Sequence, residues 1–328
     1  MPGTFMGKRN ALNGLERPLL DLVAAKNGPI NSRGEALSHG AVKVLALPLA
    51  TSGVFPDDRT TRKGTAMADD RRWALITGAT GGLGRAFAGS LARRGHDLVL
   101  TARNGDALEA LAAELRSRHG GQVVVQVADL AEPNICLQLK QALDARGVVV
   151  ETLVANAGFG VQGRFVSRQR DAELGMVDVN VRALTDLSYL FAKDMAERGG
   201  GHILLVASTA AYQPIPGYAV YAASKAYVLA FGHALHRELV RRKVVVTVTC
   251  PGPTETPFWE RAGHRLNRMA SAVLMTPEAV AETSLDAVYA GRASVVPGLA
   301  NRLITLSTRL FPRRLLALGA SYFMSNAK

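Results

Sequence analysis

Tyr221 and Lys225 are the two residues whose types and spacing point most directly to chemistry. They delimit the segment Tyr221-Ala-Ala-Ser-Lys225 at the start of a predicted helix, where four-residue spacing puts both side chains on one face. A phenol with an ordinary pKa of ~10 is a poor base at neutral pH, and a lysine ammonium beside it would lower that pKa. The pair therefore predicts proton transfer through Tyr221. By itself, the pattern is frequent in helices without a catalytic role.

Ser208 and Asn180 supply two further candidate groups. Ser208 follows the predicted strand 203–207 and precedes Tyr221 by thirteen residues. Its hydroxyl could hydrogen-bond a substrate oxygen and orient it against Tyr221. Asn180 stands in a predicted helix, where a lone asparagine is usually a surface or capping residue.

A glycine-rich turn connects the first predicted strand to the first predicted helix. It reads Thr77-Gly-Ala-Thr-Gly-Gly-Leu-Gly84, the strand–turn–helix context that a dinucleotide site requires. Gly78 permits the turn, Gly82 lets the backbone approach a pyrophosphate, and Gly84 allows the helix to pack closely on the strand. The helix N-terminus adds N–H groups and partial positive charge that favour a phosphate. The predicted pyrophosphate site comprises Gly78, Thr80, Gly82, Leu83 and Gly84.

Strands and helices alternate from Trp73 onward. The predicted strands are short, β-branched and apolar throughout, as expected of strands buried on both faces. The repetition predicts an α/β fold, a single doubly wound Rossmann-type domain with about seven parallel strands and helices on both faces. The predicted strands are 74–77, 97–101, 123–127, 152–155, 203–207, 244–249 and 294–296, and the predicted helices are 83–93, 107–118, 178–196, 221–240 and 277–290.

The glycine spacing, the Tyr-x-x-x-Lys segment and the interval from Ser208 to Tyr221 resemble the short-chain dehydrogenase/reductase family, in its NADP(H)-preferring, ketoacyl-reductase-like branch. The resemblance covers about 73–298. It implies an enzyme that reduces a ketone or 3-oxoacyl carbonyl to an alcohol by hydride transfer. Tyr221 would then donate the proton, and Ser208 would hydrogen-bond the substrate oxygen. Lys225 would also hold the nicotinamide ribose, and Asn180 would position a water that connects Lys225 to solvent.

The end of the second predicted strand bears on which dinucleotide binds. An acidic residue there binds the ribose 2′-hydroxyl of NAD, whereas a basic residue accepts the 2′-phosphate of NADP. The strand ends Leu98-Val-Leu-Thr-Ala-Arg-Asn104, with no acid at its end. Because an arginine fork can pair with a phosphate, we expect NADP(H) to be favoured over NAD(H), with Arg103 and Asn104 in the site. The alternative is that Arg103 is a solvated surface residue.

The resemblance implies further cofactor contacts after three other strands. Asp129-Leu130 follows the third strand, where the family's aspartate contacts the adenine. Asn156-Ala157-Gly158 follows the fourth, packs beside the cofactor and steadies the sheet. Pro251-Gly252 fixes a turn after the sixth strand, and Thr254 and Thr256 offer polar groups to the carboxamide and phosphate. The implied contacts are Asp129, Leu130, Asn156, Ala157, Gly158, Tyr221, Lys225, Pro251, Gly252, Thr254 and Thr256; no metal site is predicted.

Two loops carry apolar and aromatic residues that could contact a substrate. No Arg or Lys clamp for a substrate carboxylate can be recognised in them. We therefore expect a small-molecule carbonyl or alcohol substrate in a mostly apolar pocket. Aliphatic, lipid-like, steroid and aromatic ketones and acyl thioesters all stay open. The loop residues are Tyr212, Pro214, Pro216 and Tyr218 in the first loop and Phe258, Trp259 and Met269 in the second.

Composition restricts the partners and the compartment. The net charge is +12, but no zinc-finger, helix–turn–helix or aromatic–basic pattern accompanies it, so no nucleic-acid partner is expected. Two cysteines, Cys136 and Cys250, are too few for a disulfide framework and indicate a reduced, cytoplasmic protein with inert thiols. The sequence contains no apolar run of about 18 residues that would predict a membrane-spanning helix. The family resemblance implies a homo-oligomer, often formed through the helix that carries Tyr221.

The two ends of the chain differ from the predicted Rossmann domain, residues 71–298. Residues 1–70 show no sustained period, and we interpret them as a disordered or non-native N-terminal extension, with a targeting peptide as the alternative. Residues 299–328 form a basic, apolar tail in which Pro312 separates two short helical patches. This tail either packs on the domain or a partner subunit, or attaches peripherally to an anionic membrane surface.

Two other functions share parts of the pattern. A nucleotide-sugar epimerase or dehydratase on the same fold often carries Tyr-x-x-x-Lys and a glycine-rich turn, and a non-catalytic NADP-sensing or scaffold protein keeps the fold. Asn180, the Ser208 interval and Pro251-Gly252 favour the oxidoreductase over the first. The presence of both Tyr221 and Lys225 favours it over the second, because such proteins commonly lose one of them.

Overall fold

A parallel sheet of seven strands lies at the centre of the computed structural model, which describes residues 72–263 and 273–323. The strand order is β3-β2-β1-β4-β5-β6-β7. Because β1 pairs with both β2 and β4, the direction of chain progression reverses beside β1, and a crevice opens there at the carboxyl ends of the strands. The strands are β1 Trp73–Thr77, β2 Asp97–Ala102, β3 Val123–Val127, β4 Val150–Ala155, β5 Gly201–Val206, β6 Val244–Thr249 and β7 Ser294–Val295.

Helices cover both faces of this sheet. They are α1 Gly82–Arg93, α2 Gly105–His119, α3 Ile135–Asp144, α4 Arg170–Val177, α5 Leu184–Arg198, α6 Ala219–Leu239, α7 Phe258–Arg261, α8 Pro277–Tyr289, α9 Leu299–Ser307 and α10 Arg313–Phe323. A π-helical segment, Asp178–Ala183, joins α4 to α5, and short 3-10 turns lie at Phe165–Ser167, Thr209–Tyr212 and Val240–Arg242. Helices α1, α2 and α8 pack on one face, and α3, α5 and α6 pack on the other.

Successive strand side chains enter two separate cores. On β1, Leu75 joins the core that contains Phe191 of α5, whereas Ile76 joins the core that contains Phe87 of α1. All four side chains are almost fully buried. Since both faces need apolar side chains, the strands read as continuous apolar runs rather than as alternating ones.

The predicted doubly wound fold is confirmed, and the sequence predicted its strands to within a few residues at each end. Three helices were missed, α3, α4 and α7. All three are short, and neither α3 nor α4 begins with a side-chain cap hydrogen bond, although Asn134 stands at the N-cap of α3. The predicted helix 178–196 begins with the π-helical segment. The sequence did not distinguish this segment from an α-helix, because apolar periodicity does not reveal a wider turn. The two predicted tail patches form α9 and α10 on either side of Pro312.

Both cysteines are buried and unpaired. Burial raises the pKa of Cys136 to about 12 and that of Cys250 to about 11. Because the thiolate is the reactive form, these shifts agree with the prediction of inert thiols.

Two predictions concern residues that the structure does not describe. Residues 1–70, interpreted as an extension, lie outside the described residues, and so does Met269 of the second substrate loop. Across 72–263 and 273–323, no helix has the length and apolar character needed to cross a membrane.

Candidate active site

A cavity of about 1050 Å³ lies at the carboxyl ends of the strands, beside β1. Turns from six strand ends converge on it, so residues distant in sequence face one space. Asn180 is the single predicted catalytic or cofactor residue that does not line this cavity. The predicted residues that do line it are Gly78, Thr80, Gly82, Leu83, Gly84, Arg103, Asn104, Asp129, Leu130, Asn156, Ala157, Gly158, Ser208, Tyr221, Lys225, Pro251, Gly252, Thr254 and Thr256.

The glycine-rich turn has the shape that a pyrophosphate needs. Gly78 adopts a left-handed conformation with φ of 63°, which a larger residue would resist. A Cβ on Gly84 would overlap the Gly78 carbonyl oxygen, and one on Gly82 would lie 2.6 Å from Thr256 Cγ2. Helix α1 starts at Gly82 without a side-chain cap and without an acid in its first turn. Its first N–H groups are therefore left for an anionic ligand, so these residues fit a dinucleotide phosphate.

Thr77 and Asn156 lock the turn after β1 to the turn after β4. The Thr77 hydroxyl accepts hydrogen bonds from the N–H groups of Asn156 and Ala157, at 3.0 and 2.9 Å. The Asn156 amide donates to the carbonyl oxygens of Thr77 and Gly78, at 2.8 and 3.3 Å. The Asn-Ala-Gly segment thus has the sheet-steadying position that the resemblance implied.

The part of the cavity beyond the ends of β2 and β3 is basic. Arg103 is exposed there, and Arg85, which the sequence reasoning did not single out, lines the same cavity. Asn104 caps α2, since its side-chain oxygen accepts from the Ala107 N–H at 2.9 Å. Asp129 accepts from a backbone N–H two residues on, at 3.0 Å, so its carboxylate orders the turn after β3.

The Ser208, Tyr221 and Lys225 side chains meet at the cavity wall. Lys225 is almost fully buried and donates to the Val206 carbonyl oxygen at 2.9 Å, while its Nζ lies 5.8 Å from the Tyr221 ring centroid. The Ser208 hydroxyl accepts from the Ala210 N–H at 3.1 Å. The turn after β5 therefore holds the serine against the start of α6, where the tyrosine and lysine lie.

The pKa shifts at this wall differ from the sequence expectation. Burial raises the pKa of Tyr221 to about 12, and a hydrogen bond with Ser208 opposes the rise. Burial also lowers the pKa of Lys225 to about 8. Desolvation sets the direction of both shifts, because burial disfavours the charged form of each group. The effect of the lysine charge on the tyrosine pKa stays a prediction.

Asn180 lies behind the cavity wall rather than on it. Its side-chain oxygen accepts from the Phe159 N–H at 3.1 Å, and its amide donates to the Phe159 carbonyl at 2.9 Å and to Ser224 Oγ at 3.1 Å. Ser224 in turn donates to the Tyr221 carbonyl at 2.7 Å. A Cβ on Gly158 would lie 3.0 Å from Asn180 Oδ1 and 3.3 Å from Lys225 Nζ. Asn180 therefore connects the loop after β4 to the helix that carries Tyr221 and Lys225.

The substrate loops contribute only part of what the sequence suggested. Tyr218, Phe258 and Trp259 line the cavity, and so do Gln213 and Ile215, which were not predicted. Three predicted residues do not line it. Tyr212 turns into the protein with its hydroxyl 3.7 Å from Cys250 Sγ, and Pro214 and Pro216 are exposed. Alternate residues of this extended loop face opposite sides, so composition alone could not tell which ones point inward.

Gly160 was also missed, although its signal was present. A Cβ there would lie 3.0 Å from Tyr221 Cδ2 and 3.1 Å from Phe258 Cζ. A glycine is thus required where the loop after β4 crosses the Tyr221 ring. The run Gly158-Phe-Gly160 directly after Asn156-Ala157 was the available sequence signal of this close approach.

Comparison with known proteins supports the same grouping. The family model for short chain dehydrogenase matches residues 72–267, more than half of the chain. The chain belongs to the short-chain dehydrogenase/reductase family. Its relatives include 17-beta-hydroxysteroid dehydrogenase type 3 of Rattus norvegicus, 30% identical over 74% of this chain and 78% of the rat protein. The counterparts from Mus musculus and Homo sapiens match over 65% and 60% of their own lengths, less than two thirds.

A second relative and a solved structure extend this grouping. Very-long-chain 3-oxoacyl-CoA reductase of Anas platyrhynchos is 32% identical over 55% of this chain and 58% of that protein. The structure of a short-chain dehydrogenase from Sphingobium yanoikuyae in complex with NADPH superposes with a TM-score of 0.65 at 32% identity. That match covers 73% of this chain and 93% of the other. This short-chain dehydrogenase/reductase is thus an oxidoreductase by family.

Proposed function

We propose that this protein reduces the carbonyl of an apolar ketone or 3-oxoacyl substrate to an alcohol, with NADPH as hydride donor and Tyr221 as proton donor. One observation carries the proposal. Ser208, Tyr221 and Lys225 face the same cavity as the phosphate-binding turn after β1. A nicotinamide and a carbonyl could therefore meet beside a group able to donate a proton.

In this proposal, each residue of the site has a separate role in the reduction. A bound nicotinamide supplies the hydride. The Ser208 hydroxyl hydrogen-bonds the carbonyl oxygen and holds it toward the Tyr221 hydroxyl, which gives up its proton as negative charge develops on that oxygen. Because the pKa of Tyr221 is raised to about 12, the phenol stays protonated at neutral pH. This protonation state is the one that a proton donor in the reduction requires.

The preference for NADP(H) is supported by the basic end of the cavity. Arg103 follows the last residue of β2, and no acidic side chain stands at that strand end. Its guanidinium could pair with a 2′-phosphate through two hydrogen bonds. The NADPH bound to the Sphingobium yanoikuyae dehydrogenase is in keeping with this preference.

An apolar substrate is supported by the wall around Tyr221. The Phe258 ring centroid lies 5.6 Å from that of Tyr221, and Tyr218 lies 6.1 Å away on another side. Ile215 and Trp259 complete this part of the cavity. Such side chains recognise a ligand through the apolar surface that they remove from water. The steroid and very-long-chain acyl activities in the names of two relatives agree with this character.

We also propose that the tail lies against an anionic membrane surface. Helix α9 reverses the usual burial pattern, in which apolar side chains face the domain, because it buries the polar side chains of Asn301 and Thr305. On the other side, leucines spaced along one face are 47% to 79% exposed. Exposed arginines flank them, and such a combination binds anionic lipid surfaces. The leucines are Leu299, Leu303, Leu306 and Leu310, and the arginines are Arg302, Arg309, Arg313 and Arg314.

A homo-oligomer in the cytoplasm completes the proposal. The outer faces of α5 and α6 carry exposed aromatic rings, with Tyr189 67% exposed. On α6, Tyr227 stacks on Phe231 with centroids 5.6 Å apart. Aromatic side chains of this kind are enriched in subunit interfaces. The two buried, unpaired cysteines suit a reducing compartment.

Removing the Tyr221 hydroxyl tests the catalytic assignment. Tyr221→Phe should lower kcat/KM for ketone reduction by at least about 100-fold, the usual contribution of a general acid. NADPH affinity, measured by fluorescence titration, should stay within about twofold, since the ring is kept. Tyr212→Phe is the matched control, because that hydroxyl points away from the cavity. Retained activity in Tyr221→Phe contradicts the assignment, and a wild-type protein inactive on every ketone favours an epimerase or a cofactor sensor.

Replacing Arg103 tests the cofactor preference. Arg103→Ala should raise the KM for NADPH by roughly 10-fold or more, because a charge-assisted hydrogen bond contributes about 1.5–3 kcal/mol. The KM for NADH should not change, since NADH carries no 2′-phosphate. Arg118→Ala, on the exposed surface of α2, serves as the control. Equal effects on both cofactors would show that Arg103 does not read the phosphate.

Liposome flotation tests the membrane surface. Wild type should float with vesicles that contain phosphatidylserine and remain below with purely zwitterionic ones. Arg313→Glu/Arg314→Glu should weaken binding by more than about 10-fold, at roughly 1 kcal/mol for each lost arginine. Leu303→Ser should weaken it also, whereas Leu137→Ser, an exposed position on α3, should not. If Leu303→Ser instead changes only the oligomeric mass, the face binds a second copy and the membrane proposal is wrong.

A further inference from the structure

A second cavity, of about 460 Å³, lies beside the first. The two tail helices form one side of it, with Ile304 on α9 and Leu316 on α10. The other side comes from the loops after β5 and β6, at Gln213 and Pro253. None of the activity described above uses this space.

The two cavities share part of their walls. Thr209, Gln213 and Pro253 line both of them, so the second cavity begins where the substrate loops of the first one end. Thr209 directly follows Ser208, the residue proposed to hold the carbonyl oxygen. The second cavity is therefore adjacent to the proposed carbonyl position, on the far side of Thr209 from Ser208.

The tail helices are fixed to the active site rather than laid loosely over it. Ala320 of α10 is 3% exposed and packs in a cluster with Ile215 and Tyr218 of the substrate loop. On α9, Asn301 is buried against the Pro-Gly turn after β6, where a Cβ on Gly252 would overlap the Asn301 amide. The walls of the second cavity thus have a defined position relative to Tyr221.

The lining of the second cavity suits hydrocarbon. Its side chains include Phe311 and Leu315, and no charged residue is among the described ones that line it. The hydroxyls of Thr305 and Thr308 already donate to backbone carbonyl oxygens, at 2.9 and 2.7 Å, so they do not require a polar ligand. Such a lining gains free energy by covering apolar surface and offers no site for a charged head group.

We propose that the second cavity binds the hydrocarbon chain of the carbonyl substrate and selects for long-chain substrates. This rests on the proposed ketone reduction. The carbonyl lies at Ser208 and Tyr221, and the chain runs past Thr209 between α9 and α10. The C-terminal tail is then part of the specificity site.

Gly319 of α10 offers a way to fill the cavity. It lines the cavity, and a Cβ placed on it meets no atom within 4 Å. Gly319→Leu therefore narrows the space without a clash, and leucine favours a helix more than glycine does. Thr308→Phe narrows the cavity from the end of α9, in case one variant folds poorly. Leu318→Phe, an exposed neighbour that does not line the cavity, adds similar bulk as the control.

The experiment measures kcat/KM with NADPH for straight-chain methyl ketones of increasing length. In wild type and Leu318→Phe, kcat/KM should rise by roughly fourfold per methylene, the effect of burying one CH₂, until the chain fills the cavity. In Gly319→Leu and Thr308→Phe the rise should stop at a shorter chain, with the shortest ketone within about twofold of wild type. A parallel assay follows the Tm shift that a long-chain ketone gives to the NADPH complex of Tyr221→Phe, with and without Gly319→Leu.

The outcomes separate the two proposals. If short ketones are reduced and chain length has no effect, or the filling variants keep the wild-type profile, the second cavity does not bind the chain and the reductase proposal stands. If no ketone is reduced but the long-chain ketone raises Tm only when Gly319 is present, the chain site is supported and the reaction is wrong. If no ketone is reduced and the long-chain ketone does not shift Tm, both proposals are overturned.

Discussion

The partial desolvation of the half-buried Tyr221 phenol and the burial of the Lys225 ammonium are the main constraint on the active site. At the start of α6, Tyr221 is half-buried and Lys225 is almost fully buried, and the Val206 carbonyl at the end of β5 accepts the lysine hydrogen bond. Burial raises the pKa of the tyrosine to about 12 and lowers that of the lysine to about 8. At neutral pH the phenol is therefore protonated and can act as an acid.

The remainder of the site depends on keeping this pair in place. The sheet brings the ends of β1, β4, β5 and β6 to one edge, and the Thr77–Asn156 hydrogen bonds fix two of those ends together. Asn180 reaches the pair from behind through Ser224, and it does so from a π-helical turn. Wider turns of this kind recur at functional sites because they redirect a side chain without ending the helix.

The sequence predicted which residues would meet, but not their energetics. Strand and helix order placed every predicted cofactor residue on one cavity, because parallel strands must end at one edge. The sign of the Tyr221 shift could not be read from Tyr-x-x-x-Lys, since it depends on how Gly160 and Phe258 close over the ring. Likewise, the inward turn of Tyr212 and the cavity behind Thr209 arise from loop and tail packing that no local pattern encodes.

Direct titration of Tyr221 tests the central claim, that desolvation rather than Lys225 sets the tyrosine's protonation state. Ultraviolet absorbance of tyrosinate is recorded against pH for wild type and Tyr221→Phe, without cofactor, and the two curves are subtracted. The account predicts no difference between neutral pH and pH ~10, because Tyr221 ionises above the ordinary tyrosine value. A tyrosinate signal that appears near neutrality in wild type and is absent from Tyr221→Phe would contradict it, and would mean that the lysine governs the phenol after all.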